Sequence, residues 1–211
     1  MLRVILAVLA VCLFAGDAFA QNYRQAGDWI VRAGLGVVAP DGDGTDVSAG
    51  NALGLPAGTV DVDDGYAATI TVAYMVTDHI GVELLASTPF NHDIDYTGLG
   101  DIAETDQLPP TLSLQYHFGP FGRMQPYVGA GVNYTIFFNE DTKIAGTTLN
   151  LEDSIGLAGQ IGFDWHFGNK WIANIDARYI DIEPKAEING VDRGDVEIDP
   201  FVYSINVGYN F

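Results

Sequence analysis

Taken in steps of two, the segment from Phe201 to Phe211 separates into two unlike sets. One is Phe201, Tyr203, Ile205, Val207, Tyr209 and Phe211; the other is Val202, Ser204, Asn206, Gly208 and Asn210. Successive side chains of a β-strand point to opposite faces, so this strand separates two different environments. The apolar set faces either the core of a soluble sandwich or the lipid around a membrane barrel, whose lumen takes the polar set.

The same alternation recurs in seven upstream segments: Trp29–Val38, Tyr66–Val76, Ile80–Ser87, Thr111–Phe118, Tyr127–Phe138, Ser154–Phe167 and Trp171–Ile180. Most run about ten residues, the length a tilted strand needs to cross a bilayer, whereas soluble strands cluster nearer five or six. The connections alternate in length. Residues 41–65, 90–108, 139–153 and 181–199 are long; residues 77–79, 119–125 and 168–170 are short. Prolines fall at strand ends or in connections, where no ladder hydrogen bond is lost. Large aromatics gather at both strand ends: Trp29, Tyr74, Trp165 and Trp171 toward the short turns, Tyr66, Tyr134, Tyr179 and Tyr203 toward the long loops. Such paired levels mark the two membrane interfaces. A soluble sandwich explains the alternation but not the strand length, loop asymmetry or aromatic levels. The expected fold is all-β: an eight-stranded antiparallel transmembrane β-barrel with short periplasmic turns and long extracellular loops.

Charge follows the same map. The net charge is −19, and most acidic residues lie in the four long connections. Such a balance excludes nucleic-acid binding through phosphates, which needs a basic surface. The outward phases carry no charge, while Arg32, Glu83, Asp164, Asp176 and Arg178 all fall in the lumen phase. Arg or Lys on the lipid side would cost about 2–4 kcal/mol at the midplane.

Arg3, the apolar stretch Val4–Ala15 and the small-x-small run Ala18-Phe19-Ala20 read as a secretory signal peptide over residues 1–20, leaving the barrel in residues 21–211. The single cysteine, Cys12, lies inside that leader, so no disulfide is expected in the exported chain. Localisation in the outer membrane of a Gram-negative bacterium follows.

Three stretches resemble the outer membrane protein W (OmpW) family: Ile80–Ile94 (IGVELLASTPFNHDI), Leu108–Phe118 (LPPTLSLQYHF) and Pro126–Phe138 (PYVGAGVNYTIFF). Trp171–Ile182 and the final strand fit as well. The resemblance implies a narrow, partly apolar lumen and passive uptake of small hydrophobic molecules, with proposed lateral exit through the barrel wall. Two features depart from the family pattern: the long loops are unusually acidic, and Asp176 with Arg178 places opposite charges on the lumen face.

The candidate lumen or gate residues are Leu85, Glu83, Arg32, Asp176 and Arg178. Leu85 stands two positions from Glu83 on the lumen phase and suits an apolar constriction. Because eight strands enclose a space that side chains nearly fill, Arg32, Glu83, Gln115, His117, Asn133, Gln160, Asp164, Asn174, Asp176 and Arg178 are read first as a polar packing network that pairs its buried charges, with a gated path as the second reading. Phe211, with Tyr209 and Val207 in phase, reads as the C-terminal signal for the barrel-assembly machinery. The expected partners are outer-membrane lipid and lipopolysaccharide, that machinery, and small hydrophobic molecules, with no nucleic acid.

No enzyme is expected: the outward phases offer no nucleophile–base pair, and only the loop pair His92 and Asp93 remains available. No metal or cofactor is expected. Asp41–Asp46 begins like a calcium loop but has Asp46 where glycine is required and Ala52 where the closing glutamate belongs. The alternative functions are a structural or receptor-type surface barrel and, less favoured, a lipid-modifying enzyme.

Overall fold

The final strand's apolar set faces outward rather than into a protein core. Leu35 is 72% exposed, Ile205 73%, Ile155 73% and Leu157 69%, and Val132, Leu114 and Val207 are more than half exposed. A continuous apolar outer wall of this extent is incompatible with water and fits a hydrocarbon surround. A computed structural model describes residues 23–40, 45–47, 58–96, 98–144, 146–168, 170–195 and 198–211. The expected signal peptide and its cleavage site lie outside the described residues, as does most of Asp41–Asp46.

Every regular element described is a strand: β1 (Trp29–Ala39), β2 (Thr45–Val47), β3 (Gly58–Val62), β4 (Gly65–Met75), β5 (Ile80–Ser87), β6 (Phe90–Tyr96), β7 (Gly100–Leu108), β8 (Thr111–His117), β9 (Met124–Thr142), β10 (Leu149–Leu151), β11 (Ser154–Phe167), β12 (Trp171–Ile180), β13 (Lys185–Ile188), β14 (Val191–Asp195) and β15 (Phe201–Asn210). Eight of them form a closed antiparallel barrel in the ring order β1–β4–β5–β8–β9–β11–β12–β15 and back to β1. The closing pair runs from Ile30↔Asn210 to Ala39↔Phe201. Closure pairs all eight strands around the ring and removes free edge strands. These eight are the strands expected from the alternation, with ends shifted by a few residues.

The long connections are not plain loops. The expected loop 90–108 is itself a hairpin of β6 and β7, paired from Phe90↔Gln107 to Tyr96↔Gly100. It leans on β9, which runs 19 residues and reaches far above the expected end at Phe138. β3 and β2 extend this sheet from the expected loop 41–65. β10, β13 and β14 form a separate sheet of three strands from the expected loops 139–153 and 181–199. Asn139 takes φ 55°, the left-handed conformation asparagine tolerates, close to the register shift between Glu104 and Asp106.

The aromatic levels are paired across strands. Toward the short turns, Trp29 meets Tyr74 at 4.9 Å and Trp171 meets Tyr209 at 5.1 Å. At the opposite level Tyr179 meets Phe201 at 5.4 Å, and the Tyr134 and Tyr179 hydroxyls donate to Asp153 and Asp199 at 2.6 and 2.7 Å. Each Tyr and Trp ring then has an apolar body in lipid and a polar tip at the interface.

His92, expected in a solvated loop, is instead buried under the extracellular hairpin. Its Nδ1 donates to the Asp63 carbonyl at 2.7 Å, and its Nε2 accepts from the Gln107 amide at 2.8 Å. Gly65 makes room: a Cβ there would meet His92 Cε1 at 2.6 Å. Burial lowers the His92 pKa from its usual value, against the opposing pull of the Asp63 carbonyl and of Asp64 and Asp106. A lowered folded-state pKa means the unfolded hairpin binds the proton more readily. The stabilisation is therefore complete above about pH 6.5, the ordinary histidine value, and is lost as pH falls below it. Amide-exchange protection factors in β6 and β7 should drop between neutral and acidic pH in the wild type and stay flat in His92→Gln. An acid-independent wild type would contradict this arrangement.

Candidate functional site

The inward positions include two apolar levels and a charged one, with buried hydroxyl and amide side chains such as Thr69, Thr111, Asn133, Thr135 and Asn206 also lining the lumen. Nearest the short turns is a small apolar layer of Ile30, Ala73, Met75 and Ile172. Above it sits a charged layer carried by β1, β5, β11 and β12. Toward the long loops comes an apolar layer that includes Val38, Ala67, Phe90, Phe137, Ala158, Ile180 and Val202. Leu151, Ile182 and Ala186, from β10, β13 and the segment between β12 and β13, pack into this last layer, with Leu149 and Ile198 against it. Leu151 of β10, Ala186 of β13 and Ile182 between β12 and β13 thus cover the extracellular end of the lumen.

Arg32 is the hub of the charged layer. Its Nη1 donates to Glu83 Oε2 at 3.0 Å, its Nη2 to Asp164 Oδ2 at 2.7 Å and its Nε to Asp164 Oδ1 at 3.1 Å. Arg178 Nη2 donates to Glu83 Oε1 at 3.0 Å and to Asp176 Oδ1 at 3.3 Å. Four of the five expected lumen residues, Arg32, Glu83, Asp176 and Arg178, therefore form one connected network, and all are buried. The fifth, Leu85, also points inward and is 6% exposed; it lies across from Thr71 and Thr111, above Glu83.

Two participants were not singled out from sequence. Tyr127, on the lumen phase of β9, donates its hydroxyl to Asp176 Oδ2 at 2.9 Å and accepts from Asn174 at 3.1 Å. The Arg32 guanidinium lies over its ring at 5.3 Å. The ring rests on Gly162, its cross-strand partner, where any Cβ would collide with it. The second is Arg24, from the segment preceding β1, which turns back into the barrel and pairs with Asp164 while fully buried. With it the layer balances: Arg24, Arg32 and Arg178 against Glu83, Asp164 and Asp176. The signal was present in the sequence, since the lumen phases hold three acids and only two bases.

Such a layer blocks a straight path. An apolar molecule would strip paired charges of their partners, and an ion would have to displace a balanced network in a lumen with little water. No group of three or more metal-ligating side chains occurs among the described residues. His92 is committed to two hydrogen bonds and is not free to serve Asp93 as a base.

The barrel wall is interrupted beside the apolar layer. The β5–β8 ladder ends at Leu85↔Thr111, and the β6–β7 ladder starts at Phe90↔Gln107. Between them lie Pro89 on one side and Pro109-Pro110 on the other, none with an N–H to donate. Phe90, the first residue past the break, belongs to the apolar layer.

Removing Glu83 leaves Arg32 and Arg178 each short of a carboxylate in a buried site, a loss of about 3–5 kcal/mol by the usual cost of breaking a buried pair. Glu83→Ala should therefore lower the temperature at which the barrel loses its folded electrophoretic mobility. Unchanged mobility loss would mean that the layer is hydrated.

Residues 25–211 match the model of the OmpW family. The chain is 42% identical to outer membrane protein W of Escherichia coli (strain K12) over the whole of both chains. It is 32% identical to outer membrane protein AlkL of Ectopseudomonas oleovorans, over 92% of this chain and 86% of that one. Its fold superposes on the crystal structure of the outer membrane protein OprG from Pseudomonas aeruginosa with a TM-score of 0.79 and 40% identity, covering 90% of this chain and 98% of that one. The chain belongs to the OmpW family and is an eight-stranded barrel of the Gram-negative outer membrane.

Proposed function

We propose that the barrel takes up small hydrophobic molecules passively and releases them sideways into the membrane. The observation that carries this reading is the stacking of an apolar layer on a charged one, with the wall interrupted at the level of the apolar layer. A hydrophobic molecule entering from outside gains by burial among Val38, Phe90, Phe137 and Ala158. It meets the paired charges of Arg32, Glu83 and Asp164 below and would have to desolvate and separate them to continue. The break between Pro89 and Pro110 is the exit that separates no charge and breaks no ladder hydrogen bond. Entry requires Leu149, Leu151 and Ile182 to move aside, which sets the barrier on the outer end.

Leu85 lies between the two layers and acts as the lower rim of the apolar one. Glu83, Arg32, Asp176 and Arg178 serve as the floor rather than as a conducting gate. Phe211 donates its N–H to the Trp29 carbonyl at 2.9 Å and leaves its ring exposed beside Tyr209 at 4.8 Å. That placement suits recognition of Phe211, Tyr209 and Val207 by the assembly machinery. No catalysis is proposed, since the lipid-facing surface presents no nucleophile beside a base.

Transfer of a lipid-soluble fluorescent tracer into proteoliposomes tests the reading. Ala158→Phe, which fills the apolar layer without touching a charge, should slow transfer severalfold, and Leu85→Ala should speed it. Rates equal to those of empty liposomes for the wild type would leave a structural or receptor role in place of uptake.

A further inference from the structure

Residues 23–28 do not simply lead into β1. The Gly27 N–H donates to the Met75 carbonyl at 2.8 Å, and the Met75 N–H donates to the Asp28 carbonyl at 2.9 Å, which anchors this pair to the end of β4. Gly27 has φ 97°, a conformation that favours glycine, so the chain reverses there. Beyond that reversal, Tyr23 stacks on His166 with ring centroids 4.0 Å apart and planes 6° from parallel, and Arg24 enters the lumen. The Ala26 N–H donates to Asp78 Oδ1 at 2.9 Å, and Asn210 Nδ2 donates to the Tyr23 carbonyl at 3.0 Å.

The hold on Arg24 is one-sided. Its Nη2 shares Asp164 Oδ2 with Arg32, while its Nε and Nη1 are buried without a hydrogen-bond partner. Asp164 keeps two hydrogen bonds from Arg32 and one from Asn174 when Arg24 leaves. Withdrawal thus strands no carboxylate, and it hydrates two guanidinium nitrogens whose N–H groups are costly to bury unpaired. The charge of the layer also changes. Without Arg24 it holds Arg32 and Arg178 against Glu83, Asp164 and Asp176, an excess of one negative charge.

We propose that residues 23–26 are a plug hinged at Gly27, and that its withdrawal admits water and small cations from the periplasmic side to the charged layer. Seated, Arg24 neutralises the layer and Tyr23 closes the mouth against His166. Withdrawn, the acidic excess draws cations and repels anions, as rings of carboxylates do in cation-selective pores. This property is independent of hydrophobic uptake, which uses the other end of the lumen.

Ser113 gives a reporter. It lies opposite Glu83, is buried, and its hydroxyl has no hydrogen-bond partner, so Ser113→Cys disturbs no contact of that group. In a Cys12→Ser background the barrel then carries a single thiol. Its modification by 2-aminoethyl methanethiosulfonate, a cation, and by 2-sulfonatoethyl methanethiosulfonate, an anion, is followed by mass spectrometry in folded, heat-modifiable protein. With the plug intact both reagents should react slowly. Arg24→Ala should accelerate the cationic reagent tenfold or more and the anionic reagent far less. Tyr23→Ala leaves every charge of the layer in place and provides a second arm should Arg24→Ala fail to fold; it should act in the same direction. Rates unchanged in both folded variants, or raised equally for both reagents, would overturn the proposal.

Discussion

Closure with only eight strands is the constraint on which the rest of this molecule depends. The hydrocarbon offers no partner for backbone N–H and C=O groups, so the ladders must meet around the ring, as β1 and β15 do. A ring of eight leaves an interior that side chains nearly fill. Every inward charge is then confined with the others and must find its partner there. Arg32 reaches Glu83 on β5 and Asp164 on β11, across the barrel rather than along one strand. The network is a consequence of the narrow ring, and it sets a desolvation barrier across the barrel axis. The balance of three cations and three carboxylates keeps that interior from carrying an unpaired charge.

The proposed uptake depends on where the apolar and charged layers divide. The extracellular half of the lumen is lined by Val38, Ala67, Phe90, Phe137 and Val202 and covered by Leu151 and Ile182. Below it the chemistry changes within one inward step on β5, from Leu85 to Glu83. The ladder break at Pro89 and Pro109-Pro110 lies next to Phe90, on the apolar side of that boundary. An apolar solute finds burial above, a desolvation barrier below and an unladdered wall beside it, which together give a direction of travel.

The barrel strands were legible because one face must be apolar and the other need not be. Trp29, Val31, Ala33, Leu35 and Val37 show this, against Arg32 and the glycines between. The inward placement of Arg32, Glu83, Asp164, Asp176 and Arg178 was legible for the same reason, since lipid excludes charge from the outward phase. The strands inside the loops were not. β6, Phe90-Asn-His-Asp-Ile-Asp-Tyr96, does alternate, with Phe90, His92, Ile94 and Tyr96 against Asn91, Asp93 and Asp95, but the preceding Pro89 and its Asn/Asp-rich run carry the signals of a loop. His92 is polar and falls in an expected loop, yet the carbonyl of Asp63 and the amide of Gln107 satisfy it in a buried site, partners that no sequence pattern supplies. Arg24 precedes β1, where no periodicity assigns a side chain to a face; only the imbalance of lumen charges pointed to a missing cation. Tyr127 was on the correct face, but its role depends on a bare Gly162 opposite, a pairing that register alone reveals.

The central claim is that a hydrophobic solute reaches the apolar layer and stops at the charged one. Photolabelling with an alkyl diazirine in proteoliposomes, mapped residue by residue, tests it most directly. The account predicts adducts on Phe90, Phe137 and Ala158 and along the break at residues 86–90 and 108–110, with none at the level of Arg32, Glu83 and Asp164. Adducts at that charged level or below it, on Met75 or Ile172, would show that the solute passes through the floor and would contradict it.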